Sequence, residues 1–210
     1  EDTLSLHDAL PIFMKKSLTL TILLATLSFG NSVQITNFYN NGGKQTPELE
    51  KLVVNDKNLS NAIAYLEEPS KMITMNVDFT DPEVKDAPKN IVKQTLPDYV
   101  NALKEFKLSF DKHKNPISAY NGIFLIKTIF GKNKEIEYFN KFSKLLYESQ
   151  KNICISYIDY GDVLQNGLYQ KKDLNKALQI YKEGVENPNC TSWQKNVLVG
   201  RIDLLNMVSK

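Results

Sequence analysis

The chain has 210 residues, 26 Lys and Arg against 24 Asp and Glu, and a formal net charge of +2. This is one domain's worth of sequence, long enough to bury a core. The basic residues are interspersed with acidic ones, so no concentrated basic face of the kind that binds nucleic acid is predicted.

The first thirteen residues are set apart from the fold. Residues Thr3 to Ile12, TLSLHDALPI, resemble one reading frame of a common sequencing adapter. Residues 1–13 are therefore interpreted as an artefactual extension, with a natural N-terminal extension as the alternative. His7 and Asp8 carry no functional weight on this interpretation.

Residues 14–32 have the pattern of a secretory signal peptide. Lys15 and Lys16 form a basic start, an uncharged and mostly apolar run follows, and small residues come next. We predict cleavage near Gly30 or Ser32. The alternative is a membrane anchor, but the run is shorter than the ~20 apolar residues that span a bilayer. The expected location is therefore periplasmic or secreted, with no stable membrane anchor after cleavage.

The region 33–88 is predicted to be irregular, with short helices. Thr46 is the expected N-cap of a helix over Pro47 to Val54. A second short helix is predicted over Ser60 to Leu66, ending before Pro69.

The chain then changes character at a proline-bounded stretch. Lys71 to Phe79 could be a short strand or an ordered extended segment. Asp81 to Pro88 is the predicted linker, since it has Pro near both ends. It separates the N-terminal region from a predicted helical repeat domain over 89–210.

Helical periodicity dominates that domain. Apolar residues from Ile91 to Phe110 recur at three- and four-residue steps, and Pro97 could divide them into two helices. The short loops between the later helices make neighbours antiparallel. The later helices are predicted over 116–130, 134–149, 153–166, 173–185 and 192–208.

The spacing of these helices indicates a repeat. Gly131 and Gly167, each predicted to end the first helix of a pair, lie 36 residues apart. Tyr147 and Tyr181, in the second helices, lie 34 apart. Helix pairs with such a period bury their apolar faces by stacking.

One unit resembles a Sel1-like repeat, a relative of the tetratricopeptide repeat. The match is SYIDYGDVLQNGLYQKKDLNKALQIY, within a best unit over 154–187. The small, glycine, capping, lysine-alanine and tyrosine positions of the family pattern are Ser156, Gly161, Gly167, Asp173, Lys176, Ala177 and Tyr181. The sequence departs from the pattern at Tyr169 and Gln170, where the family has Gly and Val, and at Gly184, where Ala is usual.

The resemblance implies an all-α fold of antiparallel helix pairs, stacked as a short Sel1- and tetratricopeptide-like α-solenoid. It is firm over about 30 residues and looser over the C-terminal half. The last helix is expected to be a terminal cap with a polar outer face, which Lys195, Arg201 and Asp203 suggest.

Cys154 and Cys190 are the two cysteines of the chain. In an exported protein an isolated pair indicates one disulfide, with two free buried thiols as the alternative. Two cysteines and a single histidine after residue 32 do not supply the four ligands of a zinc site.

The sequence offers little for catalysis. His113 lies among lysines and is interpreted as a solvated residue at a helix end. Asp159 and Asp162 share a helix face and are interpreted as a solvated stripe. No phosphate loop, metalloprotease or nucleophile motif is found, so we predict no enzyme, no cofactor and no metal.

The expected function is protein or peptide binding as a scaffold or adaptor. Tyr169, in a turn, and Trp193, early in the last helix, are the predicted partner contacts, because aromatic residues dominate binding hot spots. One alternative is an inhibitor or immunity protein against a secreted toxin. Another is an enzyme acting on cell-wall material or β-lactams, which the family resemblance suggests but whose serine-lysine motif is missing.

Overall fold

The computed structural model describes residues 32–75 and 94–208. The predicted extension 1–13, nearly all of the predicted signal peptide and the linker Asp81–Pro88 lie outside these residues. Over the described part the fold is all-α apart from one short pair of strands, as predicted.

Nine α-helices, two strands and two single turns of other helix types follow one another along the described residues. The N-terminal elements are α1 Val33–Asn40, α2 Pro47–Asn55, α3 Lys57–Glu67, a 3-10 turn Pro69–Lys71, β1 Ile73–Met75 and β2 Gln94–Leu96. The remaining elements are α4 Tyr99–His113, α5 Pro116–Leu125, a π-helical turn Ile126–Phe130, α6 Ile136–Ser149, α7 Ile155–Asn166, α8 Leu174–Glu186 and α9 Ser192–Val208.

Side-chain caps fix where several helices begin. The Thr46 Oγ1 accepts from the Leu49 N–H at 3.1 Å at the start of α2. At the start of α8, the Asp173 Oδ1 accepts from the Lys176 N–H at 2.9 Å. Each cap satisfies an N–H that has no partner within its own helix. Both caps are where the sequence predicted them.

Glycines end two helices as predicted. Gly131 follows the π-helical turn with φ 82°, and Gly167 follows α7 with φ 67°. Both values lie in the region that glycine adopts without a steric penalty.

The helix predicted from residue 89 is wrong over Gln94–Leu96. These residues form β2 and pair antiparallel with β1, with Ile73 opposite Leu96. Proline disfavours helix in the residue before it, so Pro97 holds Leu96 extended. The α4 helix starts only after the Asp98 cap, whose carboxylate accepts from Asn101 at 3.0 Å.

The first three helices share the core of the later ones. Phe38 of α1 is fully buried and packs edge-to-face on Tyr120 of α5, with ring centroids 5.8 Å apart. The α3 helix packs along α4. The N-terminal region is therefore more regular than the sequence suggested, and its apolar residues belong to one continuous core.

One buried carboxylate links three of these helices. Asp56 caps α3 by accepting from the Leu59 N–H at 3.0 Å. Its other oxygen accepts from Ser109 of α4 at 2.6 Å and from Asn115, the cap of α5, at 2.9 Å. The three hydrogen bonds of this buried group thus come from three different elements.

Consecutive helices pack against one another from α3 to α9. The most extensive packing joins α3 with α4, α7 with α8, and α8 with α9, followed by α5 with α6, and α9 also touches α7. This order agrees with stacked antiparallel pairs in which α9 has no following partner among the described residues.

Cys154 and Cys190 lie at disulfide distance, with Cα atoms 5.2 Å apart. Cys154 precedes α7 and Cys190 precedes α9, so the pair joins the starts of two helices that run in the same direction. Within residues 32–75 and 94–208, no helix is both long enough and apolar enough to cross a membrane.

Candidate protein-interaction surface

Two helix pairs approach closely at the same point of the repeat. A Cβ added at Gly122 of α5 would lie 2.9 Å from Cδ2 of Phe142 in α6. A Cβ added at Gly161 of α7 would lie 2.7 Å from Cδ1 of Tyr181 in α8. In each pair, an aromatic ring of the second helix occupies the space beside a glycine of the first. Glycine and ring both recur after 39 residues (161 − 122 and 181 − 142).

Gly200 of α9 continues this series, since it lies a further 39 residues beyond Gly161 (200 − 161). Here no ring is present. A Cβ added at Gly200 would meet no atom of the described chain within 4 Å. The position that α6 and α8 fill in the first two pairs is therefore open beside α9.

An apolar stripe surrounds this open position. Its members lie at alternating four- and three-residue steps, which places them on one face of a helix. They are Trp193, Val197, Gly200, Leu204 and Met207, and we call them the outer stripe of α9. Trp193 is 65% exposed, Leu204 49% and Met207 74%. A polar outer face was predicted for this helix, and that prediction is wrong along the stripe.

The opposite side of α9 is packed. Leu198 and Leu205 are buried, and Leu198 lies directly against Gly184 of α8. This side anchors the helix and fixes which face it turns outward.

Arg201 explains why the outer face is less polar than predicted. Its Nη2 donates to an Asp162 Oδ2 at 3.1 Å, and its Nε lies 2.9 Å from Oδ1. Tyr181 also donates to Asp162, at 2.9 Å. The Arg201 guanidinium, which was predicted to lie on the outer face, thus joins α9 to α7.

A second ion pair joins α5 to α7. Lys127, in the π-helical turn, donates to both Asp159 oxygens, at 2.9 and 3.2 Å. Asp159 is only 1% exposed, whereas the Lys127 side chain is 31% exposed. Burial raises the pKa of Asp159, and the Lys127 ammonium opposes that rise.

The interpretation of Asp159 and Asp162 as a solvated stripe is therefore wrong. Every residue of α7 from Ser156 to Leu164 is buried, because neighbouring helices surround it. An open groove along the first helices, which a helical repeat can use to hold a peptide, does not exist at α7. Exposed apolar residues occur on several described elements, and those at the free side of α9 form a stripe along one helix face.

The residues of the repeat motif support the packing of α7 and α8. Ser156 is buried and donates to the Ile153 carbonyl at 2.7 Å. Ala177 is fully buried, as a small residue at a close contact must be. Lys176 has an exposed side chain, and its contribution is the backbone N–H that Asp173 caps. Gly161, Gly167 and Tyr181 have the roles described above.

The two predicted partner contacts are both exposed but are not brought together. Tyr169, 57% exposed, follows the end of α7, and Trp193 lies near the start of α9. Since α7 and α9 run in the same direction, these residues lie at opposite ends of the stack. Only Trp193 belongs to the outer stripe.

His113 is exposed at the end of α4, as predicted. No group of three or more His, Cys, Asp or Glu side chains in residues 32–75 and 94–208 is arranged to hold a metal ion.

The outer stripe was missed by the sequence analysis, although its spacing is visible in the sequence. Two apolar stripes run along α9, one through Leu198 and Leu205 and the other through Val197 and Leu204. Periodicity alone does not tell which stripe is covered. The exact 39-residue recurrence of glycine was the available signal.

Comparison with protein-family models, with curated proteins and with solved structures finds no match to this chain.

Proposed function

We propose that this chain is an exported α-helical repeat protein that binds another protein as a scaffold or adaptor and performs no catalysis. The binding surface in this proposal is the outer stripe of α9. The repeat class proposed is Sel1-like, on the motif of residues 154–187.

The observation that carries the proposal is the exposed apolar stripe beside the open position at Gly200. Large apolar side chains at the surface cost free energy unless a partner covers them, and contiguous apolar patches commonly mark interaction sites. Trp193 is a residue type that is enriched among binding hot spots. The stripe lies on a formed helix whose Leu198 and Leu205 are buried, so binding orders few residues that are not already ordered.

Two observations support the proposed location. The Cys154–Cys190 pair at disulfide distance is compatible with an oxidising compartment outside the cytosol. The sequence of residues 14–32 has the form of a signal peptide. The periplasm is the compartment proposed.

Photo-crosslinking in cells tests the binding surface. A photoreactive phenylalanine analogue is placed at Met207, on the stripe, and the adducts are identified by mass spectrometry. We expect one dominant adduct of defined mass, because a surface that binds a specific partner captures that partner.

The matched control places the same analogue at Phe124, an exposed aromatic residue of α5 outside the stripe. We expect little capture there. Equal capture at both positions, or none at Met207, would refute the stripe as a binding surface.

A further inference from the structure

An aromatic ring lies beside the recurring glycine in two of its three positions. Beside Gly122 and Gly161 the space is filled by Phe142 and Tyr181, each from an antiparallel neighbour. Beside Gly200 the same space is open. The occupant that fits is therefore an antiparallel helix that presents an aromatic side chain.

The chain itself carries such a helix. Trp193 lies seven residues before Gly200, two turns earlier on the same face of α9, and 65% of it is exposed. The open space beside Gly200 and the exposed ring of Trp193 thus lie on one stripe. A two-fold axis satisfies both at once, because an isologous interface pairs residue i with j and j with i.

We infer that the partner at the outer stripe is a second copy of this chain. The two α9 helices pack antiparallel about a two-fold axis, and Trp193 of each copy lies beside the Gly200 of the other. Val197 of both copies lies next to the axis in this arrangement. The inference rests on the proposed function, since it names the occupant of the surface proposed there.

The interface is small, so the dimer is expected to be weak. We expect one helix face to bury less than the roughly 1,200 Å² that marks the lower end of stable interfaces. We therefore expect a dissociation constant on the order of 10–100 µM, with fast exchange between monomer and dimer.

Sedimentation velocity and Trp193 fluorescence on the oxidised protein test the inference together. Trp193 is the single tryptophan of the chain, so its emission reports the stripe directly. Between about 1 and 300 µM we expect a concentration-dependent rise toward twice the monomer mass, with a blue shift of emission over the same range.

Gly200→Ala is the decisive variant. Its Cβ meets open space in the single chain, and alanine favours helix, so the variant folds. In the dimer that Cβ meets the indole of the second copy. We expect the dissociation constant to rise about tenfold or more. Trp193→Ala should weaken the dimer similarly in sedimentation.

Val199→Ala is the matched control. Val199 is adjacent to Gly200 and partly exposed, but it lies off the stripe. We expect its dimer to be unchanged.

Two outcomes overturn the inference. One is a protein that stays monomeric at the highest concentration, and the other is a dimer whose Trp193 emission does not shift or that Gly200→Ala leaves intact. If the protein is monomeric and crosslinking at Met207 captures a different protein, the proposed function stands and the second copy alone is refuted. If Met207 captures nothing either, both fail.

Discussion

At the scale of single residues, the charges inside the stack are the most consequential feature. Asp159 is buried in α7 with Lys127 as its cation, and Lys127 reaches it from a π-helical turn. Such turns insert an extra residue and redirect the side chains that follow. A buried carboxylate is tolerated only while its partner is in place.

Lys127→Met should therefore destabilise the protein at pH 7 more than Asp159→Asn does. The first leaves a buried carboxylate unpaired, whereas the second leaves an ammonium that water can reach. We expect a cost of about 2–3 kcal/mol for Lys127→Met, below the usual range for buried pairs because Lys127 is partly exposed. Urea unfolding at pH 7 measures both.

The destabilisation by Lys127→Met should depend on pH, in a direction that the pKa of Asp159 determines. Without Lys127 the pKa of Asp159 rises further above its ordinary value of 3.8. A carboxyl with a higher pKa in the folded state takes up a proton on folding, so stability falls as pH rises through that window. The deficit of Lys127→Met should shrink from pH 7 toward pH 5. The exposed control Lys144→Met should cost under about 0.5 kcal/mol at either pH.

The three recurring glycines make a second prediction at this scale. Gly161→Ala drives a Cβ into the Tyr181 ring and should destabilise by about 1–3 kcal/mol. Gly200→Ala adds the same methyl group to open space and should stabilise the isolated chain by about 0.5–1 kcal/mol. Thermal unfolding at a dilute, monomeric concentration compares them. Equal losses for both would contradict the open position at Gly200.

At the scale of elements, α9 is held by its inner face, by Arg201 and by the cysteine pair at its start. Its inner face packs on α8, and among the described residues no helix packs on its other side. The covalent link therefore carries a larger share of the attachment than it would for a central helix such as α7.

Reduction of Cys154–Cys190 should lower the free energy of unfolding by about 3–4 kcal/mol, the value for a loop of this length. Hydrogen exchange should show α9 losing protection before α7, since α9 has one packed side. The Cys154→Ser/Cys190→Ser variant should match the reduced protein. Two reactive thiols in the denatured, unreduced protein would show that no disulfide forms.

Asp56 makes a prediction for the junction of α3, α4 and α5. Asp56→Ala removes a cap and the buried acceptor of Asn115, whereas Ser109 keeps Ser118 as a hydrogen-bond partner. We expect a loss of about 3 kcal/mol, the sum of a cap and an unsatisfied buried donor. Asp173→Ala, an exposed cap, should cost only about 1 kcal/mol. Chemical denaturation compares the two, and equal costs would mean that Asp56 acts as a cap alone.

At the scale of the whole molecule, the N-terminal helices and the repeat share one core. Phe38→Ala should therefore destabilise the entire chain, by about 3–5 kcal/mol. Trp193 fluorescence, which reports α9, and far-UV circular dichroism should give coincident transitions at the lower midpoint. Separate transitions would show that the helices before residue 68 unfold on their own.

Much of the architecture follows from local rules in the sequence. Caps such as Thr46 and Asp173, and turn glycines such as Gly131 and Gly167, mark helix ends because they satisfy backbone groups within a few residues. The helix over 192–208 was predicted with its observed bounds. The segment before Pro97 was mistaken for helix, because its apolar spacing fits a helix and its strand partner is distant in sequence.

The sequence by itself determined the helices from Tyr99 onward, their antiparallel order and the pair of cysteines, since periodicity, capping and short loops act locally. Only the tertiary structure decided which faces are covered. Asp159 is buried and Arg201 is turned inward because neighbouring helices supply their partners. Among the described residues, the outer stripe of α9 is left exposed. Whether a face is covered depends on contacts between residues that are distant in sequence, and local sequence patterns do not reveal those contacts.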